Sequence, residues 1–330
     1  FAASAVAAGY EVTAVDAYGD LDLRAIATVV PVPEPYSAMA AARAARGIAC
    51  DAVAYTSNFE NHPAALDVLA SGRTLLGNPA SVVTRARDAR ALPGAPAVRT
   101  DAPRDGEWMV KPSASGGGHG VRRWRRGERV PRRAVLQEFV PGVAGSVVFT
   151  PDGVLGVTRQ LIGDPVFGAD GFRYCGNILL DNSLIEEYHD GLAARVTAAF
   201  GLMGVNGVDV VDRVPIEVNP RYTAAMELVE RRDGVSIATA HATGRVGARR
   251  VGHGSVGKAI VYARQTVTVR DTRDWLGDDT VADIPMPGTR VPRGRPICTV
   301  FAAGRDVDEC YARLVVRAEG VYGTLRRAAA

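Results

Sequence analysis

The chain has 330 residues, a nearly balanced net charge of +3 and 47% hydrophobic residues, which is enough for two or three domains with real cores. No apolar run approaches the roughly 20 residues that a membrane-spanning helix needs. The first residues lack a basic segment before their apolar stretch, so we do not expect a signal peptide. The cysteines are scattered without metal-type spacing, which indicates reduced thiols in a cytoplasmic protein: Cys50, Cys175, Cys298 and Cys310.

Residues 1–78 alternate between helix and strand patterns. We predict helices over FAASAVAAGY, YSAMAAARAARGI and NHPAALDVLASG, and strands over EVTAVDAY, ATVVPVP and CDAVAYTS. This alternation is typical of a small doubly wound α/β domain. Such domains usually open on a strand and this chain opens on a helix, so we expect that the first strand is missing from it.

The rest of the chain divides into a central region, 79–248, and a β-rich region, 249–330, that ends in a helix. In the central region we predict a helix over SVVTRARDARAL, strands over EWMVKPS, AVLQEFV, GSVVFTP and VLGVTRQLIG, and helices over about 184–201 and 232–244. In the last region we predict strands within VGKAIVYARQTVTV and PICTVFAAG, then a helix over DVDECYARLVVRAEGV.

An acidic hairpin is the first sign of chemistry. In PIEVNPR, Glu217, Asn219 and Arg221 occupy alternate positions, so in a strand their side chains share one face. A short turn separates this strand from GVDVV, which would bring Asp209 close to Glu217. Two carboxylates beside an amide suit a hard cation such as Mg²⁺, and an arginine suits the anion that accompanies it. The alternative is a surface strand with its polar residues in water.

A glycine loop is the second sign. In VKPSASGGGHGVR a strand delivers Lys111 and a run of small residues follows, whose backbone N–H groups can approach phosphate oxygens closely. The lysine precedes the glycines, so the loop matches neither the P-loop nor the G-x-G-x-x-G dinucleotide loop. A glycine-rich hairpin without a ligand is the alternative. The loop and the metal hairpin together indicate a nucleotide site.

At this point the sequence resembles the ATP-grasp superfamily over essentially its whole length. The phrases GDLDLR, QEFVPGVAGSVVF, TRQLIG, FRYCGNI and GVNGVDVV are similar to the predicted carboligase branch related to biotin carboxylase, and the chain is also similar to the tyramine–glutamate ligases of methanofuran biosynthesis. The resemblance implies an α/β ATP-grasp fold with an N-terminal doubly wound domain and a small β-rich C-terminal region.

The resemblance also implies roles for individual residues. Lys111 would bind the α- and β-phosphates of ATP, and Arg221 would steady the reacting phosphoryl group. The magnesium ligands would be Asp209, Glu217 and Asn219. The loop that covers the phosphates would include Ser113, Ser115, Gly116, Gly117, Gly118 and His119. The linker beside adenine would be Gln137, Glu138, Phe139 and Val140. Mn²⁺ is an alternative to Mg²⁺.

The chain departs from the family pattern at three points. Many relatives have an earlier phosphate-binding lysine, where this chain offers only Arg85, Arg87 and Arg90. The first metal ligand, Asp209, is often glutamate in relatives. His119 stands where relatives have arginine or glycine, and is either a phosphate contact or a solvent-exposed loop residue.

The reaction that the resemblance implies is activation of a carboxylate as an acyl phosphate, followed by amide formation with an amine. The alternatives are a carboxylase that activates bicarbonate and a regulatory protein that binds ATP without turnover. Candidates for contacts with the small-molecule substrates are Arg159, Arg173, Tyr174 and Glu227. The arginine-rich run RRWRRGERVPRR could bind nucleic acid, but Glu128 and Pro131 interrupt it and we favour a solvated hairpin. The resemblance further implies a homodimer and a role in cofactor biosynthesis, such as that of a methanofuran-like or pterin-like one-carbon carrier.

Overall fold

A computed structural model describes residues 1–32, 35–247 and 252–327. Its helices, α1 to α9, are Ala2–Ala7, Leu21–Ile26, Ala38–Ala45, Pro63–Ala70, Ala80–Ala86, Glu187–Phe200, Met226–Asp233, Ile237–Thr243 and Val307–Arg327. Its strands, β1 to β18, are Thr13–Asp16, Thr28–Pro31, Ala52–Val53, Thr74–Leu75, Val98–Arg99, Trp108–Pro112, Arg122–Arg123, Ala134–Glu138, Ala144–Thr150, Gly153–Ile162, Tyr174–Leu179, Asn206–Val211, Val214–Asn219, Ser255–Tyr262, Val267–Thr268, Val281–Ala282, Arg290–Val291 and Pro296–Gly304. None of the helices described is long and apolar enough to span a bilayer.

The N-terminal region forms the predicted α/β unit. Strands β1 and β2 pair in parallel, as do β3 and β4, with helices between them. Ser37 caps the start of helix α3 through its hydroxyl, which accepts from the N–H of Ala40, and α3 packs against α4 through alanines at helical spacing. The short helix α2 was not among our predicted elements.

Two antiparallel sheets follow. The four-stranded sheet has the order β5-β8-β6-β7 and carries the glycine loop between β6 and β7. The eight-stranded sheet has the order β13-β12-β9-β10-β11-β14-β18-β16. Successive side chains of β9 are buried on opposite faces of the sheet. Val147 packs with α5 and α6, and Val148 packs with α7 and α8. The sheet therefore has helices on both faces, and the acidic hairpin β12–β13 forms one of its edges.

The last region continues the large sheet. Strands β14 and β18 pair with each other and β14 pairs with β11, so the residues after 254 extend the central sheet. Helix α9 packs on these strands through buried side chains that include Cys310, Leu314 and Ala318. The boundary that we predict at 248/249 lies outside the described residues and stays a prediction, and the described strands on its two sides share one sheet.

The structure corrects two helix boundaries. The helix predicted over 232–244 is two helices, α7 and α8, because Gly234 adopts a left-handed conformation with φ of 68° that ends α7. Helix α7 begins earlier than predicted, at Met226. The helix predicted up to Leu92 ends at Ala86, where Arg87 begins an irregular segment.

Candidate active site

The acidic hairpin brings the three predicted magnesium ligands together. Asp209 of β12 lies directly opposite Glu217 of β13 in the antiparallel ladder. The side-chain amide of Asn219 donates to Asp209 Oδ2 at 3.0 Å. Val208 and Val218, which alternate with these polar residues, are buried in the core beneath the hairpin. The local alternation of polar and apolar residues therefore positions the carboxylates and the amide as a group.

Cations surround Glu217 more closely than Asp209. Arg87 forms an ion pair with Glu217 Oε1, and Lys111 Nζ lies 3.8 Å from Glu217 Oε2. Burial raises the pKa of Glu217, but Arg87 and Lys111 outweigh this effect, and its pKa lies below the usual value. Burial, followed by the negative charge of Glu217, raises the pKa of Asp209 above its usual value. Arg87, Lys111 and Arg221 therefore act on the two carboxylates, and Glu217 is the more strongly compensated of the two.

The donor set fits a hard divalent cation. Among the residues that the structure describes, no cluster of three His, Cys, Asp or Glu side chains could hold a metal. The predicted ligand set contains only two such side chains, Asp209 and Glu217, because its third ligand is the side-chain amide oxygen of Asn219. Gln160 of β10 donates to Asp209 Oδ1 at 2.8 Å and so helps to orient this carboxylate. Oxygen donors from carboxylates and amides are the ligands that Mg²⁺ prefers.

Arg221 lies next to this group and is tied to the N-terminal region. Its Nη2 donates to Asn219 Oδ1 at 3.2 Å and lies 2.6 Å from Glu60 Oε1. Its Nη1 donates to the backbone carbonyl of Tyr222 at 3.0 Å. Glu60 belongs to a single 3-10 turn, Phe59–Asn61, that follows β3. The N-terminal region therefore contributes a carboxylate to the site.

The same turn also reaches the glycine loop and Arg87. Asn61 Nδ2 donates to the carbonyl oxygen of Ser115 at 3.3 Å, and Arg87 Nη2 donates to Asn61 Oδ1 at 3.0 Å. Of the arginines that could replace the earlier family lysine, Arg87 contacts the acidic hairpin, whereas Arg85 donates to the carbonyl of Phe200 at 2.8 Å. Arg87 is therefore the cation that this segment supplies.

The glycine loop is folded against the segment before β11. The N–H of Tyr174 donates to the carbonyl of Gly117 at 3.1 Å, and Gly118 has φ of 75°. A methyl group at Gly118 would lie 1.9 Å from the carbonyl oxygen of Phe172, so only glycine fits at this contact. Within the loop, the hydroxyl of Ser115 donates to the carbonyl of His119, and the His119 side chain is exposed. The N–H of Ser113 donates to the carbonyl of Arg133.

The predicted adenine linker spans the end of β8. Gln137 is buried, and its side chain donates to the carbonyl of Ile216 at 3.1 Å, which joins the linker to the acidic hairpin. The N–H groups of Glu138 and Phe139 donate to the carbonyls of Ala97 and Glu107. The Phe139 ring stacks under the guanidinium of Arg123 at 3.1 Å. Val140 follows outside the strand and is half-buried.

The four candidate substrate residues separate into two groups. Arg159 is exposed and lies between Thr158 and Gln160 on β10, so it points to the face opposite the one on which Gln160 contacts Asp209. We therefore remove it from the candidate site. Arg173 donates to the carbonyl of Gly294 at 3.0 Å.

Tyr174 and Glu227 remain candidates. Burial, followed by the negative charge of Asp209, raises the pKa of Tyr174 above its usual value. Tyr174 has a buried hydroxyl that lacks a hydrogen-bond partner among the described residues. Glu227, in the first turn of α7, pairs with Lys258 at 2.7 Å and with Arg231 at 3.3 Å.

Sequence reasoning missed Glu60, Asn61, Gln160 and Lys258. A usable signal existed for Glu60 and Asn61, because they follow the strand CDAVAYTS, and ligands of α/β units bind beyond the carboxyl ends of the strands. Gln160 and Lys258 each lie within a largely apolar strand. The sequence does not predict which residue of another strand or helix such a side chain contacts.

Comparisons with known proteins agree on the architecture. A family model described as "ATP-grasp domain" matches residues 89–225. The biotin carboxylase domain dimer of Hydrogenobacter thermophilus 2-oxoglutarate carboxylase, in complex with MgADP, ADP and bicarbonate, is 14% identical, with a TM-score of 0.71 over 95% of this chain and 85% of that chain.

Two ligating or carboxylating enzymes are also similar in structure. The N5-carboxyaminoimidazole ribonucleotide synthetase of Thermus thermophilus is 15% identical, with a TM-score of 0.65 over 98% of this chain and 94% of that chain. The L-amino acid ligase of Bacillus licheniformis is 16% identical, with a TM-score of 0.63 over 94% and 92% of the two chains. No curated protein matches the sequence.

Proposed function

Because this chain has the ATP-grasp fold, with the ATP-grasp domain in residues 89–225, we propose that it is an ATP-dependent ligase that activates a carboxylate as an acyl phosphate and joins it to an amine. The main support is the convergence at one place of Lys111 from β6, Asp209 from β12, Glu217 from β13 and Arg221 from the segment that follows β13. The products are an amide, ADP and phosphate. We assign the reaction to the biosynthesis of a cofactor or other small molecule.

ATP and Mg²⁺ belong to this proposal. Asp209, Glu217 and Asn219 would hold the metal, which supplies positive charge to the phosphates of the nucleotide. Lys111 adds a second source of positive charge, since its Nζ already lies beside Glu217. The glycine loop supplies backbone N–H donors to the phosphates, and residues 137–140 line the adenine side.

The chain's own residues also protect the reaction from water. Arg221 is 9% exposed and lies beside Asn219, where it can stabilise negative charge on the phosphoryl group that is transferred. The contact of the glycine loop with Phe172 and Tyr174 closes one side of the site. Exclusion of water matters because an acyl phosphate hydrolyses readily.

A carboxylase is the second candidate, because the Hydrogenobacter thermophilus structure, whose fold this chain shares, contains bicarbonate with MgADP. In that reaction bicarbonate replaces the carboxylate substrate, and the same phosphate-binding groups would serve. A regulatory protein that only binds ATP would leave ATP intact.

The test is the release of ADP from ATP and Mg²⁺ across a panel of carboxylic acids and amines, with and without bicarbonate. The ligase predicts release that requires one acid and one amine and that is lost in Glu217→Ala. Glu128→Ala, which removes an acid that pairs with Arg122 outside the hairpin, should retain it. Release that depends on bicarbonate instead of an organic acid would favour the carboxylase. ATP binding without release under any of these conditions would favour the regulator. Sedimentation velocity on the same sample tests the homodimer.

A further inference from the structure

A buried ion pair beside the reacting groups has spare hydrogen-bonding capacity. Glu60 is 2% exposed and Arg221 is 9% exposed, and they meet through Glu60 Oε1 and Arg221 Nη2 at 2.6 Å. Glu60 Oε2 and Arg221 Nε are both buried, and neither has a hydrogen-bond partner among the described residues. Buried charged groups normally satisfy nearly all of their hydrogen-bonding atoms, because each unmet atom costs free energy.

Among the described residues, six buried side-chain atoms lack a partner, and two of them are those of the ion pair. Of the four unmet atoms outside the pair, those of Tyr174 and Thr223 belong to residues beside the candidate site, whereas those of Arg73 and Thr197 belong to other parts of the chain. Thr223 follows Arg221 by two positions, and Tyr174 is held by the glycine loop through its backbone N–H. A ligand with both donors and acceptors would satisfy such a set.

The spare atoms of the pair are complementary to the two halves of an amide-forming step. Glu60 Oε2 is an anionic acceptor and suits the N–H groups of a cationic amine. Arg221 Nε–H is a cationic donor and suits the oxygen of an activated carboxyl or phosphoryl group. Arg221 also touches Asn219, which ties this pair to the acidic hairpin.

We propose that Glu60, supplied by the N-terminal region, forms the ammonium-binding subsite for the amine substrate. This inference rests on the proposed ligase function and assigns the acceptor to the class of protonated primary amines. The other candidate carboxylate, Glu227, is a weaker partner for an ammonium group because Lys258 and Arg231 already neutralise it. Glu60 pairs with Arg221 through Oε1 only, and its Oε2 is left to accept from a ligand.

The chemistry balances without another reactant. Glu60 first accepts one proton of the ammonium group, which frees the nitrogen lone pair, and this lone pair then forms the C–N bond with the acyl carbon. The bond between the acyl carbon and the bridging phosphate oxygen breaks, and phosphate leaves with that electron pair. The second proton of the nitrogen goes to the departing phosphate, and Glu60 returns its proton to water.

The test compares two small nucleophiles in the wild type and in Glu60→Gln. Methylamine is protonated at neutral pH, whereas hydroxylamine is neutral, so only methylamine needs an anionic subsite. With the acid identified in the ADP-release panel, methylamine-dependent turnover should fall roughly thirtyfold in Glu60→Gln, the scale of one charge-assisted hydrogen bond. Hydroxylamine-dependent turnover should change by no more than about threefold, since its nitrogen carries no charge to be matched.

Asp233→Asn is the matched control. Asp233 is fully buried and pairs with Arg232 at 2.8 Å at the end of α7, so its substitution weakens a similar acid–arginine pair elsewhere. It should leave the ratio of the two activities unchanged. Glu60→Asp should recover part of the methylamine rate, which checks that charge and not folding is responsible.

Equal losses with both nucleophiles in Glu60→Gln would overturn the inference, because Glu60 would then act only by orienting Arg221. Unchanged rates with both would also overturn it. A wild-type protein that releases ADP with no amine of the panel, for any acid, would instead refute the ligase function on which the inference rests.

Discussion

Replacement of Gly118 by alanine should weaken ATP binding by opening the glycine loop. In the structure the glycine loop contacts the segment before β11. Gly118 of the loop has φ of 75°, and a methyl group added to it would lie only 1.9 Å from the carbonyl oxygen of Phe172 in that segment. The obstacle is backbone, so it cannot rotate away as a side chain would. The loop must therefore withdraw, which breaks the hydrogen bond from the Tyr174 N–H to the Gly117 carbonyl.

The size of the effect follows from two terms. A left-handed conformation costs alanine about 1 kcal/mol. The lost hydrogen bond costs about 1 kcal/mol more. Together they disfavour the closed loop by about 2 kcal/mol, which corresponds to a roughly thirtyfold higher Kd for ATP. Thermal stability should change little, because the loop is largely exposed.

Isothermal titration calorimetry with ATP and Mg²⁺ measures this difference. Gly127→Ala is the matched control, since Gly127 has φ of 84° in the turn after β7 but nothing lies within 4 Å of an added methyl group. It carries the same backbone strain without the clash, and its Kd should stay within about twofold of the wild type. Equal Kd values for the two variants would refute the idea that closure against Phe172 contributes to nucleotide binding.

Three further outcomes follow from the contacts described. The buried His241 accepts a hydrogen bond from the Val205 N–H, and burial lowers its pKa to about 4. Below pH 6.5 the unfolded state therefore binds a proton that the folded state does not. The free energy of unfolding should fall by up to about 3 kcal/mol between pH 6.5 and pH 4. Urea titrations should show this slope in the wild type and its absence in His241→Asn. Asn61→Ala removes three hydrogen bonds, to Asn58, to the glycine loop and to Arg87, so hydrogen–deuterium exchange of residues 113–121 should rise by about tenfold. Phe149→Ala should cost about 3–5 kcal/mol because its ring is fully buried, whereas Val316→Ala, at a site 71% exposed, should be nearly neutral; urea midpoints separate the two.

The acidic hairpin could be predicted from the sequence because its geometry is local. Alternation fixes which side chains share a face, and the short turn between β12 and β13 brings Asp209 close to Glu217. The register shift between Asp209 and Val210, which sets Asp209 directly opposite Glu217, has no signal in the sequence pattern. The α/β order of the first region and the helix of the last region were predictable for the same reason, since their periodicity lies within about a dozen residues.

The remaining parts depend on contacts between distant residues. Glu60 meets Arg221 across 161 positions of the chain, and no local pattern relates a short turn after β3 to the strand β13. The division between α7 and α8 depends on Gly234, and a glycine inside a helical pattern does not by itself show whether the helix ends. The inward placement of Gln160 and the outward placement of Arg159 required the register of β10 against both neighbours.

The continuity of the eight-stranded sheet has a practical consequence for expression of fragments. A truncated chain that ends at residue 247 would contain the proposed magnesium ligands, Lys111 and the Glu60–Arg221 pair, yet it would lack Lys258 with β14, and also β18 and α9. Strand β11 would then become an unpaired edge, and apolar side chains such as Ile178 would lose the layer that covers them. Exposed edges of this kind recruit other chains. A fragment trimmed to the nucleotide-binding part should therefore aggregate, and soluble preparations will require the C-terminal strands.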